Sequence, residues 1–216
     1  MGLLEKLKED PNVLYIYETG LQIYGLFEGV PNRNFTIICT HNYSPEGFVN
    51  DEAVDESDSF EKFDITNWFN LVENGCILAW ECACLPKKFI HKEYVKLLLK
   101  TDPLKLRKIY EVEKKICLFG YDEYLEADAI ISAQKELFYL FKLVKFSNQI
   151  IENHKIVNFK TLANDYRHIV TGEKYDLEYF NAYINDELSQ FKRFTDDILK
   201  RDKIQKILQN ERTTNT

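Results

Sequence analysis

The first third of the chain contains short apolar runs separated by turn residues, a pattern typical of β-strands. Three runs predict strands because they are rich in β-branched and aromatic residues or alternate apolar with charged residues: 13–17, 35–40 and 60–65. A short helix is predicted at residues 3–8, since Pro11 cannot continue it. The polar and acidic residues 41–59 predict a long loop between the second and third strands.

Beyond residue 65 the apolar residues recur every three to four positions, which is the period of amphipathic helices. Thr66 or Asn67 is predicted to cap the first of these helices, and Gly75 to end it. The remaining predicted helices cover 77–84, 89–99, 104–119, 124–152 and 176–211. Strands grouped ahead of helices predict the α+β class. Its parts are a small mixed sheet with flanking helices over residues 1–85, a helical C-terminal lobe over 86–212 and a frayed tail at 213–216.

The composition is that of a folded protein, since 45% of the 216 residues are hydrophobic and 14% are aromatic. These proportions exclude a disordered chain. No apolar run approaches the ~20 residues of a membrane span, and the N-terminus lacks the apolar core of a signal peptide. We therefore expect a cytoplasmic protein with no membrane partner and with its five cysteines reduced. No metal site is predicted, because the Cys-x-Cys spacing at Cys82 and Cys84 is awkward for zinc.

The formal net charge of −7 is concentrated in residues 46–64, which we call the acidic segment. This segment contains eight acids and one base, whereas the rest of the chain holds 27 acids and 27 bases. The global acidity argues against a protein that coats nucleic acid. The net charge of −7 is nevertheless compatible with a local cationic surface, because the rest of the chain is neutral overall. Residues 87–115, with ten Lys or Arg against four acids, suit either contacts with RNA or a nucleotide or the solvated faces of two helices.

A glycine-containing turn joins the first two predicted strands. Its sequence is Thr-Gly-Leu-Gln-Ile-Tyr-Gly at 19–25, followed by a loop with Pro31 and by Asn-Phe-Thr-Ile-Ile at 34–38. This order resembles the core of polymerase-β-like nucleotidyltransferases, among them the predicted RNA-repair-associated nucleotidyltransferase family. There a Gly-Ser turn follows the first strand, an Asp-x-Asp pair lies on the second, and a third acid lies on a later strand. The resemblance spans roughly residues 15–170 and implies a nucleotidyltransferase-like mixed sheet.

The residue types of that family follow from its chemistry. Phosphoryl transfer uses two divalent metal ions about 4 Å apart, which carboxylates on adjacent strands hold. Two acids at positions i and i+2 of a strand face the same side and so reach one metal cluster. The Gly-Ser turn lets backbone and hydroxyl groups approach the triphosphate.

The turn and the later helices keep part of the family's motif. The family's glycine and its Tyr-Gly pair correspond to Gly20, Tyr24 and Gly25, whereas Leu21 occupies the position of the serine. The resemblance implies that these residues bind the nucleotide. Further matches to the family's polar and cationic positions lie on later helices and are Glu81, Lys135, Tyr139 and Lys142.

The positions of the family's metal ligands are largely neutral in this chain. Asn34 and Thr36 fall where the Asp-x-Asp pair is expected, and Asp64 is the candidate for the third, catalytic acid. Neutral side chains at two of three positions cannot balance the charge of two Mg²⁺ ions. The alternative interpretation is that the glycines only shape a turn and that Asp64 is the neighbour of a helix cap.

Three functional hypotheses follow from the resemblance and its losses. The first is a protein with the nucleotidyltransferase fold that no longer catalyses transfer, needs no cofactor, and binds a nucleotide, RNA or a protein. The second is an active nucleotidyltransferase in which Asp64 works with Glu28 or an acid of the acidic segment, and which uses Mg²⁺ and a nucleoside triphosphate. The third is a phage- or virus-encoded module that binds a host protein through the acidic segment, 46–64.

Overall fold

The computed structural model describes residues 2–26, 33–55, 58–95, 103–127 and 129–170, together with a few residues between 186 and 201. The described residues fall into two compact units, one within 1–100 and 155–165, and one within 101–154 and 166–216. Strands and short helices form the first unit, and long helices form the second. The predicted α+β class is therefore confirmed, while the predicted domain boundary near residue 86 stays a prediction.

The strands of the first unit form one mixed sheet. They are β1 (Val13–Thr19), β2 (Asn34–Cys39), β3 (Glu52–Asp55), β4 (Asp58–Asp64) and β5 (Ile90–Glu93), in the spatial order β3-β4-β2-β1-β5. β2 and β4 pair in parallel, and the other neighbouring strands pair antiparallel. β2 is the central strand, and five of its six residues are buried.

One face of the sheet packs against helix α1 (Leu3–Glu9), which confirms the helix predicted before Pro11. Phe35 and Phe60, opposite each other in the parallel pair of β2 and β4, stack with their ring centroids 5.0 Å apart. The apolar cluster on this face consists of Leu4, Leu7, Val13, Ile16, Phe35, Ile37, Cys39, Ala53 and Phe60. This burial stabilises the unit by removing apolar surface from water.

The opposite face of the sheet packs against helix α2 (Ile65–Glu73). The Trp68 ring on α2 is fully buried and lies 6.4 Å from the Tyr17 ring and 5.4 Å from the Phe63 ring, between centroids. Gly75 follows α2 with a φ of 77°, so the predicted end of the helix is confirmed. Helix α3 (Ile77–Cys84) then forms as predicted.

Two predictions for the edges of the sheet are wrong. Part of the predicted loop at 41–59 is the hairpin of β3 and β4, because the Ala53 and Phe60 side chains reach the core although acids surround them. In place of the predicted helix at 89–99, Phe89 ends a 3₁₀ turn (Lys87–Phe89) and Ile90–Glu93 form β5, which pairs with the edge of β1. Pairing with an existing strand overrides a helical pattern in so short a segment.

The second unit contains helices α4 (Pro103–Glu126) and α5 (Ile130–Asn153). Residues 127–129 join these helices, and α4 packs against α5 as an antiparallel hairpin. The predicted helix at 104–119 continues through Gly120 to Glu126, and a Cβ on Gly120 would be 3.4 Å from Cγ of Glu136 on α5. That is an ordinary van der Waals distance, so the packing of α4 on α5 does not depend on glycine here. Helix α5 begins at Ile130 rather than near the predicted residue 124.

Helix α6 (Leu162–Val170) completes the described helices. Most of the predicted helix at 176–211 lies outside the described residues, and the few that are described between 186 and 201 are helical. The frayed tail predicted at 213–216 lies outside the described residues. Within the described part of the chain, every helix is too short or too polar to span a bilayer.

Candidate functional site

The turn after β1 requires glycine at both of its ends. Gly20 has a φ of 92° and a ψ of −162°, and Gly25 has a φ of 77°. Residues with a Cβ rarely adopt either conformation. Between them Leu21–Tyr24 form one 3₁₀ turn, which the Gly25 N–H closes by donating to the Gln22 carbonyl over 3.0 Å.

Gly20 lies directly against the side chain of Asn34. The antiparallel pairing of β1 and β2 places Thr19 opposite Asn34, and the Thr19 hydroxyl donates to the Asn34 carbonyl over 3.3 Å. A Cβ on Gly20 would be 2.7 Å from Nδ2 of Asn34. The structure therefore brings the glycine of the turn together with the first of the two neutral replacements.

Thr36 lies two residues further along β2 and faces the same side of the sheet as Asn34. It pairs with Tyr17 and is 1% exposed. A buried, neutral residue thus occupies the place where the resemblance expects the second acid of the pair. Asn34 and Thr36 supply no negative charge to this end of β2, so they do not form a site for Mg²⁺.

The structure does not bring Asp64 to this end of the sheet. In the parallel pair of β2 and β4, Asn34 is opposite Ser59 and Asp64 is opposite Cys39. Asp64 is thus five residues along β4 from the position beside Asn34, which corresponds to about 16 Å of strand. The grouping of Asp64 with Asn34 and Thr36 that the resemblance implies is not formed.

Asp64 caps helix α2 instead, so the predicted caps Thr66 and Asn67 are wrong. Its carboxylate accepts the Thr66 N–H over 2.8 Å and the Asn42 N–H over 2.9 Å. The His41 ring nitrogen lies 3.1 Å away. Hydrogen bonds from the Asn42 and Thr66 backbones, and then from His41, lower the pKa of Asp64 to about 2.

The acid that does face Thr36 is Glu61, which sequence reasoning did not select. Thr36 and Glu61 are opposite each other, and β3 places Glu52 opposite Glu61 on its other side. Burial raises the pKa of Glu61, and the nearby Glu52 raises it further. The signal in the sequence is the alternation within β4, but it identifies Glu61 only once the register with β2 is known.

Tyr24 and Glu81 join the turn to helix α3. The Tyr24 hydroxyl donates a short hydrogen bond to the Glu81 carboxylate. Both side chains are buried, at 4% and 2% exposure. Their position in the interior indicates that this pair fixes the turn, whereas the resemblance implies a contact between Tyr24 and a nucleotide.

A pocket of about 240 Å³ lies beside the turn and contains no acidic side chain. We call it the cationic pocket. The turn, the segment after α3 and the segment before α6 contribute its walls, which are Gln22, Ile23, Gly25, Pro86, Lys88, Phe89, Val157, Asn158, Phe159 and Lys160. Sequence reasoning missed Lys160 and Phe159, because they are far from the turn along the chain and no local pattern connects them.

The two lysines of the cationic pocket are exposed and run along its apolar walls. Lys88 Nζ lies 4.6 Å from the centroid of the Phe89 ring. The Lys160 side-chain carbons pass 3.5 Å from the position that a Cβ on Gly25 would occupy. Among the described residues neither lysine forms an ion pair, so both ammonium groups can neutralise a bound anion.

The predicted site residues Lys135, Tyr139 and Lys142 lie on α5, in the second unit. Their spacing puts them on one side of the helix. Lys142 Nζ lies 5.1 Å from the centroid of the Tyr139 ring, while Lys135 is exposed. They belong to a different unit from Gly20.

Most described carboxylates of the acidic segment have partners in the first unit. Asp51 pairs with Lys62 over 2.7 Å, and Asp58 holds Arg33 through both of its oxygens, at 2.5 and 3.2 Å. Asp55 accepts the Leu3 N–H over 2.5 Å. These carboxylates therefore stabilise the hairpin of β3 and β4 and its contacts with α1 and residue 33.

The comparisons with known proteins add no relative to this description. No family model, no curated protein and no solved structure matches the chain. In the part of the chain that the structure describes, no three Asp, Glu, His or Cys side chains are grouped as metal ligands would be. The site is therefore defined by the turn at Gly20–Gly25, the neutral pair on β2 and the cationic pocket.

Proposed function

We propose that this chain is a nucleotidyltransferase-like protein that binds a nucleotide without catalysing metal-dependent transfer. The observation that carries the proposal is the contact between Gly20 and Asn34. This contact resembles the meeting of the glycine turn and the acid pair in that family, yet Asn34 and Thr36 are neutral. The mixed sheet, in which β4 pairs in parallel with β2, supports the same interpretation.

The cationic pocket supports binding of a nucleotide. Lys88 and Lys160 can offset the charge of a phosphate group, as a metal ion does in an active nucleotidyltransferase. The Phe89 and Phe159 rings offer apolar surfaces for a base. At about 240 Å³ the pocket lies just below the range of roughly 300–1,000 Å³ for ligand sites, so a mononucleotide fits better than an RNA strand.

Calorimetry with ATP tests the binding, once in EDTA and once with Mg²⁺. We expect similar affinity in both buffers and weaker affinity at high salt. Lys88→Ala and Lys160→Ala should each reduce the affinity several-fold. Lys155→Ala is the matched control, because this exposed lysine lies on the same segment as Lys160 but outside the pocket. Absence of affinity for every nucleoside triphosphate in both buffers would overturn the proposal.

A transfer assay with α-labelled nucleoside triphosphates and Mg²⁺ or Mn²⁺ tests the loss of catalysis. We expect no label on RNA or protein. Metal-dependent labelling that Asp64→Ala abolishes would support the active enzyme with a displaced acid set instead. That alternative requires Asp64 to act from the far end of β4, where backbone N–H groups already occupy its carboxylate.

The structure does not favour capture of a host protein by the acidic segment. Asp51, Asp55 and Asp58 already make contacts within the chain. Neutralising them should lower stability, so a loss of partner capture would not isolate a docking role. If Lys88→Ala and Lys160→Ala leave the binding of RNA or protein unchanged, the cationic pocket is not the binding site for that partner.

A further inference from the structure

Helix α4 presents an apolar stripe to solvent. Val112, Ile116 and Phe119 are 57%, 56% and 65% exposed. Their spacing of four and then three residues aligns them along one side of the helix. The other side of α4, which includes Tyr110 and Cys117, is buried. Neighbouring apolar side chains of this size, each more than half exposed, are typical of an interaction surface.

Charges of opposite sign flank this stripe. Lys105 and Lys108 precede it, and Glu123 and Glu126 follow it; all four are exposed. At 100° per residue, these four residues and the three apolar ones lie within an arc of about 80° around the helix. The arc therefore has a basic end, an apolar centre and an acidic end.

The order of these charges does not stabilise α4 itself. A helix is stabilised by acids near its N-terminus and by bases near its C-terminus. The first turn of α4 contains no acid, its last turn contains no base, and the exposed lysines and glutamates stand at the opposite ends. A neighbouring helix with the reverse order of charges would complement this pattern.

A second copy of the same helix supplies that order when it runs antiparallel. The four flanking charges are complementary about the midpoint between residues 115 and 116, since Lys108 then corresponds to Glu123 and Lys105 to Glu126. Val112 corresponds to Phe119, so the apolar centres also coincide. In a two-fold symmetric dimer every such contact occurs twice.

We infer that α4 is a self-association surface through which two copies of this chain pair antiparallel about a two-fold axis near residues 115–116. The two helix dipoles then oppose each other, and each acidic end meets a basic end. One helix pair of 24 residues is about 36 Å long and forms a small contact by the standards of stable dimers. The dimer is therefore weak and depends on concentration. This inference is independent of the proposed nucleotide binding.

Sedimentation velocity at low salt, from micromolar to millimolar protein, tests the pairing. We expect a shift from monomer to dimer with rising concentration and a weaker shift at high salt. Ile116→Ser should abolish the shift while leaving the helical circular dichroism unchanged. A protein that stays monomeric at every concentration would overturn the inference and assign the stripe to another partner.

Charge reversal tests the antiparallel register. Lys108→Glu and Glu123→Lys each create two like-charge contacts in the dimer, so each should weaken self-association at least tenfold. An equimolar mixture of the two variants should form a heterodimer, because both contacts become attractive again. The control is Lys87→Glu, which reverses the charge of an exposed side chain in the first unit and should leave the dimer unchanged. The antiparallel pair would be contradicted if either charge reversal left the strength of self-association unchanged, or if the mixture of the two variants did not dimerise.

Discussion

Asp64 is opposite Cys39 in the parallel pair of β2 and β4, whereas Ser59 is the residue opposite Asn34. This register separates Asp64, the candidate catalytic acid, from the turn at Gly20–Gly25. It also gives Asp64 a different task, since its carboxylate accepts backbone N–H groups from Thr66 and Asn42. The carboxylate therefore stabilises the start of α2 and the residues after β2.

The cap at Asp64 predicts a specific loss of stability in acid. Because the folded protein lowers the pKa of Asp64 from 3.8 to about 2, the stabilisation is complete above the higher value and is lost as the pH falls towards the lower one. Asp64→Asn keeps a capping side chain but removes the titration. We expect the urea midpoint of this variant to change less than that of the wild type across this range.

The control for the acid prediction is Glu46→Gln, which removes the charge of an exposed side chain in the same acidic segment. Its urea midpoint should follow the wild type at every pH. If Asp64→Asn also follows the wild type, the cap does not contribute to acid sensitivity. Asp64→Ala should lower the melting temperature, because alanine cannot cap α2, and should leave nucleotide affinity unchanged.

The contact between Gly20 and Asn34 predicts a large cost for Gly20→Ala. An alanine would adopt an unfavourable φ of 92°, and its Cβ would lie 2.7 Å from Nδ2 of Asn34. The backbone term alone costs about 1–2 kcal/mol of unfolding free energy. Gly47→Ala is a matched control, because Gly47 has a φ of 95° and no atom within 4 Å of its Cβ position.

Urea unfolding should therefore show a greater loss for Gly20→Ala than for Gly47→Ala. Asn34→Ala removes the amide that the new Cβ meets, so Gly20→Ala should cost less in its background than in the wild type. This double-mutant cycle measures the contact directly. Additive losses would mean that the Asn34 side chain moves aside without cost.

The main strands and most helices could be predicted because their own residues specify them. The continuous apolar run of β2 and the alternation of apolar and charged residues in β4 are both typical of strands and fit few other structures. β3 and β5 could not be predicted, since Glu52 and Asp55 have low strand propensity and Ile90–Glu93 extends only because the edge of β1 is beside it. Their conformation depends on pairing, which a local pattern does not contain.

The candidate site was predictable in part for the same reason. The glycine turn and the two strands beside it were visible in the sequence, and their antiparallel pairing places Gly20 against Asn34. The position of Asp64 depends on the register of a parallel pair with no hairpin to set it, so Glu61 and Asp64 could not be distinguished in advance. Lys160 enters the cationic pocket from a segment distant in sequence, for which the turn offers no signal.

The buried hydrogen bond between Tyr24 and Glu81 predicts that Tyr24→Phe destabilises the first unit. The variant removes a donor from a carboxylate that is only 2% exposed, and such a loss costs about 1–3 kcal/mol. Tyr94→Phe is the control, because Tyr94 is 74% exposed. Urea unfolding should separate the two variants, and equal midpoints would show that the Glu81 carboxylate does not depend on Tyr24.

The five cysteines should react with a thiol reagent in an order set by their burial. Cys39, Cys82 and Cys117 are at most 1% exposed, whereas Cys76 and Cys84 are half-buried. Burial raises the pKa of Cys39 and of Cys117 to about 12, which suppresses the reactive thiolate. Burial also raises the pKa of Cys84, whose sulfur accepts the Ile156 N–H over 3.3 Å.

We therefore expect Cys76 to be modified first in the folded protein, Cys84 more slowly, and the three buried thiols only after unfolding in urea. Peptide mass spectrometry after timed alkylation measures this order. Cys76→Ser should remove the fast phase without changing the others. Modification of Cys39 or Cys117 at the rate of Cys76 would show that the sheet or the hairpin of α4 and α5 opens locally, because only a transient opening gives a reagent access to these thiols.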